Sequence, residues 1–211
     1  MIAPLIVGIA RLLSGAQARW VGCEPSFRQR IYFANHTSHL DFVVLWSALP
    51  PVLRKLTRPV AGRDYWEPNA FRRYLATQVF QAVLVDRHGS GGAAGDDRAA
   101  RVEAARRTVE TTAEALGTQH SLIVFPEGTR GSGAEPGPFK SGLYHLVKLR
   151  PDVELIPAYL ENLNRILPKG EVLPVPMIAS VTFGAPLALE AGEPPDLFLA
   201  RARAALTALR R

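Results

Sequence analysis

His36 and Asp41 stand five residues apart in Asn35-His36-Thr37-Ser38-His39-Leu40-Asp41, where an apolar run, Ile31-Tyr32-Phe33-Ala34, gives way to a helical pattern. An imidazole titrates near neutrality, so its neutral form can accept a hydroxyl proton. A carboxylate within reach can fix the other ring nitrogen as a donor and stabilise the imidazolium that forms. The pair is therefore equipped for general-base chemistry on an alcohol. The same residues have a plain structural reading: Ser38 and Asp41 match a capping box with Asp in place of Glu, in which the carboxylate satisfies amides at a helix start. Either role suits Asp41, and His39 reads as a structural or substrate-shaping neighbour rather than a second base.

A second polar group follows another apolar run, Ser121-Leu122-Ile123-Val124-Phe125, which leads into Pro126-Glu127-Gly128-Thr129-Arg130. Gly128 permits close backbone approach, Thr129 adds a hydroxyl, and Arg130 carries a planar fork suited to phosphate or carboxylate. Alone this would be an ordinary strand-end turn; beside the first motif it reads as an anion site.

Together these two stretches resemble the glycerolipid acyltransferase family, best known for the 1-acylglycerol-3-phosphate acyltransferases. The resemblance continues in chain order. Gly62-Arg63 and Ala82-Val83-Leu84-Val85-Asp86-Arg87 are similar to the family's second block, and Leu155-Ile156-Pro157-Ala158-Tyr159 to its fourth. Phe139-Lys140-Ser141-Gly142 fits the segment after the Glu-Gly-Thr-Arg turn. The likeness runs from about Arg30 to Phe183, and four ordered blocks are far more specific than any one of them.

The resemblance implies transfer of a fatty acyl group from a thioester, acyl-coenzyme A or acyl carrier protein, to a hydroxyl of a lysophospholipid, with 1-acylglycerol 3-phosphate as the expected acceptor. His36 would be the base and Asp41 its orienting partner, with no resident cofactor or metal. Arg63, Arg87, Glu127, Gly128, Thr129 and Arg130 would form the acceptor site. Arg87 and Arg130 are expected to grip the phosphate, and Glu127 to bond a glycerol hydroxyl or hold Arg130. Two other readings keep the same residues: a non-catalytic lipid-surface binding protein, and a hydrolase that gives the acyl group to water.

These motifs need strand ends to position them. Strand-like runs at 31–34, 58–61, 82–86, 121–125, 153–159 and 177–183 alternate with helical patterns near 40–49, 68–78, 98–116, 140–149 and 195–209. Such alternation predicts a single α/β domain with a central, mostly parallel or mixed sheet flanked by helices, and ligands of such sheets gather outside the carboxyl ends of the strands. The resemblance makes this a glycerol-phosphate acyltransferase-like fold. A chain of 211 residues, 47% hydrophobic, suffices for one substantial core. The expected division is residues 1–25 as an amphipathic interfacial segment and 26–211 as the acyltransferase domain.

The apolar stretch Met1 to Ala10 is interrupted by Arg11 and is shorter than the roughly 20 residues that span a bilayer. With Leu12, Leu13 and Trp20 it suits a shallow interfacial anchor, or a helix packed on the domain. The net charge is +6, and Arg54, Lys55, Arg58, Arg63, Arg72 and Arg73 crowd one stretch. That patch suits an anionic membrane surface or coenzyme A phosphates, or is ordinary solvated surface. The expected location is the cytoplasmic side of a membrane, peripheral or monotopic.

Other chemistries are excluded or weakened. Cys23 is the only cysteine, so no intramolecular disulfide forms, and Gly22, Glu24 and Pro25 offer its thiol no activating base. His36, His39 and Asp41 lack the Cys pair or His-Glu-x-x-His helix that would support zinc. The glycines of 88–95 imitate a dinucleotide fingerprint, but Asp96 and Asp97 intervene before the helix, which makes a surface loop the better reading. No nucleic-acid motif accompanies the basic residues, so nucleic acid is not an expected partner.

Overall fold

The structure, a computed structural model, describes residue 8 and residues 17–38, 41–86, 98–131, 135–161 and 180–210. Strand β2 (Arg30–Ala34) is the spine: all five residues are buried, because neighbours flank it on both edges and helices cover both faces. Strands β6 (Glu154–Glu161) and β5 (Ser121–Val124) pair with it in parallel, with Ile31 opposite Leu155 and Leu122. Beyond β5 lie β3 (Thr57–Gly62) and β4 (Val83–Val85), both parallel. Beyond β6, β7 (Ser180–Phe183) runs antiparallel and carries β1 (Gln17–Trp20) at its outer edge. The sheet is thus mixed and seven-stranded, in the order β1-β7-β6-β2-β5-β3-β4. The α/β architecture expected from the alternating runs is the one observed.

The period of two along each strand sorts side chains to two cores. Tyr32, Ala34, Ile123, Ile156 and Ala158 join Val44, Leu45 and Trp46 of helix α1 (Asp41–Ala48) on one face. Ile31, Phe33, Leu122, Val124 and Leu155 meet residues of α5, α6 and α7 on the other: Leu116, Leu143, Leu146, Phe198 and Leu206. These helices span Arg98–Leu116, Gly142–Leu149 and Pro195–Thr207.

Several elements differ from the sequence expectation. Pro51–Leu56 and Arg63–Trp66 form short helices, α2 and α3, that were not anticipated, and the helix expected near 68–78 divides into α4 (Ala70–Tyr74) and a π-helical turn over Leu75–Val79. Strand β1 lies before the expected domain boundary at residue 26. Its sequence, Gln-Ala-Arg-Trp, has no apolar run; pairing with β7 recruits it, and Trp20 stacks on Phe183 with ring centroids 4.0 Å apart. The sheet therefore reaches back to Gln17. Of the expected strand over 177–183, residues 177–179 lie outside the described residues, as do the loop 88–95 and, within the proposed interfacial segment, residues 1–16 apart from Gly8.

Because β6, β2, β5, β3 and β4 are parallel, their carboxyl ends share one edge. That edge collects His36 after β2, Arg63 after β3, Asp86 after β4 and the 126–130 turn after β5.

Candidate active site

Asn35 ends β2 as a clip. Its Nδ2 donates to the Leu160 carbonyl at 2.9 Å and its Oδ1 accepts from the Leu160 amide at 2.8 Å, which extends the pairing with β6 by one side chain and frees the chain to turn. The next residue is His36, and its backbone is gripped from both sides. Its N–H donates to Glu127 Oε1 at 2.8 Å, and its carbonyl accepts from the Gly131 amide at 2.8 Å. Its ring stacks on Phe125, centroids 4.4 Å apart and planes 25° from parallel. A residue held by two main-chain bonds and a stacked ring has little freedom left to lose on meeting a ligand.

Asp41, wholly buried, closes the turn. One oxygen, Oδ2, accepts from the Thr37 amide at 2.6 Å and the Ser38 amide at 2.8 Å, and lies 2.8 Å from His36 Nδ1. The two readings of Asp41 are thus one geometry: the oxygen that caps the helix start also faces the imidazole. Backbone amides can only donate, so Oδ2 is an acceptor, and Nδ1 must carry the hydrogen in this contact. Nε2 then holds the lone pair, with no hydrogen-bond partner among the described residues. Burial raises the Asp41 carboxyl above its ordinary value, opposed by the His36 contact and the two amides. Asp41 Oδ1 is buried without a hydrogen-bond partner among the described residues.

Glu127 is buried, and both its oxygens serve the main chain: Oε1 takes the His36 amide and Oε2 the Gly137 amide, each at 2.8 Å. It braces the base. No contact with Arg130 accompanies these bonds among the described residues, and the sequence could not disclose them because both partners are backbone groups. Gly128 adopts φ +70° where its amide closes a turn onto the Phe125 carbonyl at 3.0 Å. Thr129 is exposed on that turn, and Arg130 follows it, half-buried, with no ion pair among the described residues.

Arg63 is placed differently. Its guanidinium meets Glu67, lies 3.2 Å from Asp86, and donates to the Leu84 carbonyl at 3.2 Å. It follows a strand two places from β2, about 10 Å away at the usual strand spacing, so it buttresses the β3–β4 corner rather than joining His36. Arg87 lies outside the described residues.

The basic stretch also separates into parts. Arg54 donates to the carbonyls of Trp46, Ser47 and Leu49, capping the end of α1, and Arg58 donates to those of Gln81 and Ala115. Arg72 lies over the Tyr65 ring at 4.4 Å. Lys55 and Arg73 are exposed, with no side-chain partner among the described residues. Among the described residues no helix is long and apolar enough to cross a membrane. Cys23 is half-buried, and burial pushes its thiol up, away from the reactive thiolate.

A mixed, mostly parallel α/β sheet with a His–Asp pair after one strand and a braced Glu-Gly-Thr-Arg turn after its neighbour describes an acyltransferase scaffold, and the model of the Acyltransferase family matches residues 25–161: the chain belongs to that family. Among its relatives, a 1-acyl-sn-glycerol-3-phosphate acyltransferase of Limnanthes alba is 30% identical over 177 residues, covering 82% of this chain and 56% of the relative. A 1-acyl-sn-glycerol-3-phosphate acyltransferase alpha of Mus musculus is 27% identical over 174 residues, covering 81% and 54%. This chain thus spans about half the length of such relatives. The crystal structure of the 1-acyl-sn-glycerophosphate acyltransferase PlsC of Thermotoga maritima has the same fold, with a TM-score of 0.68 at 18% identity over 99% of this chain and 78% of that one.

Proposed function

We propose that this protein is an O-acyltransferase that moves a fatty acyl group from acyl-coenzyme A or acyl carrier protein to the free hydroxyl of a lysophospholipid, with 1-acylglycerol 3-phosphate as acceptor and phosphatidic acid as product. The observation that supports the mechanism is the 2.8 Å contact of His36 Nδ1 with Asp41 Oδ2, which also accepts two backbone amides: with the hydrogen on Nδ1, the Nε2 lone pair is left for the acceptor hydroxyl. Nε2 takes that proton as the acceptor oxygen attacks the thioester carbonyl. The tetrahedral intermediate collapses, the carbon–sulfur bond breaks, and the imidazolium returns its proton to the leaving thiolate. The buried Asp41 carboxylate stabilises the imidazolium in between.

No covalent acyl-enzyme is required, because a thioester is already activated; positioning and a base can supply much of the rate. Arg130 and Arg87 would bind the acceptor phosphate. The membrane that supplies the acceptor would be an anionic surface met peripherally or monotopically from the cytoplasmic side. Exposed Lys55 and Arg73, with Arg72, are the basic residues of the stretch that support this contact.

The test is incubation with labelled acyl-coenzyme A or acyl carrier protein and a panel of lysophospholipids. Thioester-dependent formation of the diacyl product is expected. Free fatty acid appearing without an acceptor would mean a hydrolase, and vesicle binding without turnover would mean a binding protein.

A further inference from the structure

Gly128 has no side chain, and Lys140 fills the space one would take. A β-carbon built on Gly128 would stand 2.7 Å from Lys140 Nζ, 2.9 Å from its Cε and 3.0 Å from its Cδ. The lysine therefore lies lengthwise across the turn, its ammonium directly over the glycine. Such an approach is possible only over a residue without a β-carbon.

The chain on both sides of Lys140 holds it there. The Lys140 amide donates to the Pro126 carbonyl at 2.9 Å, and Phe139 packs edge-on against Phe33 of β2, centroids 6.1 Å apart. The turn it crosses is the one that clasps the base. Glu127, next to Gly128, takes the His36 amide, and Gly131 donates to the His36 carbonyl.

The charge at this place is uncommitted. The Lys140 side chain has no hydrogen bond or ion pair among the described residues, and Glu127, beside Gly128, spends both oxygens on backbone amides. Arg130, two residues beyond Gly128, is likewise unpaired among them. Lys140 is exposed, so its stem crosses the turn while its ammonium stays open to solvent and to an incoming anion. Two such cations at one loop suit a dianion better than a monoanion or a neutral headgroup.

We propose that Lys140 is a specificity-determining residue of this site, a second cation that works with Arg130 to select acceptors bearing a terminal phosphate monoester. The inference rests on the acyl-transfer reading and adds the feature of the acceptor that is read. A diester headgroup, with one negative charge instead of nearly two, would lose most of the benefit.

Lys140→Met tests it, since the stem length is kept and only the charge is lost. With one acyl-coenzyme A donor, kcat/KM is measured for lysophosphatidic acid and for the phosphate-free monoacylglycerol. The ratio of the two is expected to fall about tenfold, through KM for the phosphorylated acceptor, which corresponds to about 1.4 kcal/mol. Lys140→Arg should restore most of it. An unchanged ratio, or an equal loss on both acceptors with a lowered melting temperature, would overturn the proposal and show a packing role. Should the wild type acylate neither acceptor, the acyl-transfer reading fails. The lysine is then judged by calorimetric binding of glycerol 3-phosphate without donor. Weaker binding by Lys140→Met upholds it as a phosphate ligand, while equal or absent binding rejects it.

Discussion

Asp41→Asn separates what the carboxylate does for the fold from what its charge does for the base. The three donors converge on Oδ2 alone, so an asparagine can turn its carbonyl oxygen to the Thr37 and Ser38 amides and to His36 Nδ1, keeping the turn and the tautomer. Its amide group then takes the place of Oδ1, which has no partner among the described residues, at a cost of about 1–3 kcal/mol for a buried unsatisfied donor. Relief of a buried charge opposes that cost. Burial raises the folded-state carboxyl above its unfolded value, so the folded state holds its proton to higher pH than the unfolded chain does. Wild-type stability attributable to Asp41 is therefore greatest below the unfolded value and declines as pH rises through the folded one. Asparagine does not titrate. The variant should gain on the wild type across that window and stand within about 2 kcal/mol of it at neutral pH. Activity behaves differently: without the anion the imidazolium loses its stabiliser, and kcat should fall on the order of 10²–10⁴-fold. Asp41→Ala, which strands both amides, should lose activity and also about 2–5 kcal/mol of stability. Denaturant melts across pH, paired with kcat for each variant, read out both effects. Wild-type turnover by Asp41→Asn would refute the pairing, and a pH-independent stability difference would refute the burial argument.

Three further outcomes follow from named contacts. Glu127→Gln must set an amide N–H against the amide of His36 or of Gly137, so it should cost about 1–3 kcal/mol in denaturant melts and lower kcat without acting on substrate. Burial alone would raise the Glu154 carboxyl, but hydrogen bonds from Arg30 and Arg28 outweigh it and hold it below 4.5. That contribution is fully present above 4.5 and is lost as pH falls through the lower folded-state value, so the penalty of Glu154→Gln, about 1–3 kcal/mol at neutral pH, should vanish in acid. Arg130→Ala should raise KM for a phosphorylated acceptor about tenfold with kcat little changed, because the bond is made in ground and transition states alike; steady-state kinetics on the acceptor check it.

What the sequence displayed and what it concealed divide along physical lines. The strands through Ile31, Leu122 and Leu155 are legible because central parallel strands bury both faces and so read as unbroken apolar runs. His36 and Asp41 are legible because they lie only five positions apart and their geometry closes locally. Strand β1 is not: Gln17 to Trp20 become a strand only through pairing with β7, more than 160 residues away in the chain. Glu127 is equally opaque, since the amides it holds belong to His36 and Gly137, neither of which carries a side-chain signal for the contact. The basic stretch misleads for a related reason. Charge in a sequence looks available, yet Arg54, Arg58 and Arg63 spend theirs on carbonyls and carboxylates that only folding brings near.

The most direct test of the central claim is single-turnover acyl transfer by wild type and His36→Ala with labelled acyl-coenzyme A and saturating lysophosphatidic acid. The account predicts phosphatidic acid from the wild type, and a rate constant lower by about 10²–10⁴-fold in a variant that melts as a folded protein. A folded His36→Ala protein that forms product at the wild-type rate would contradict it.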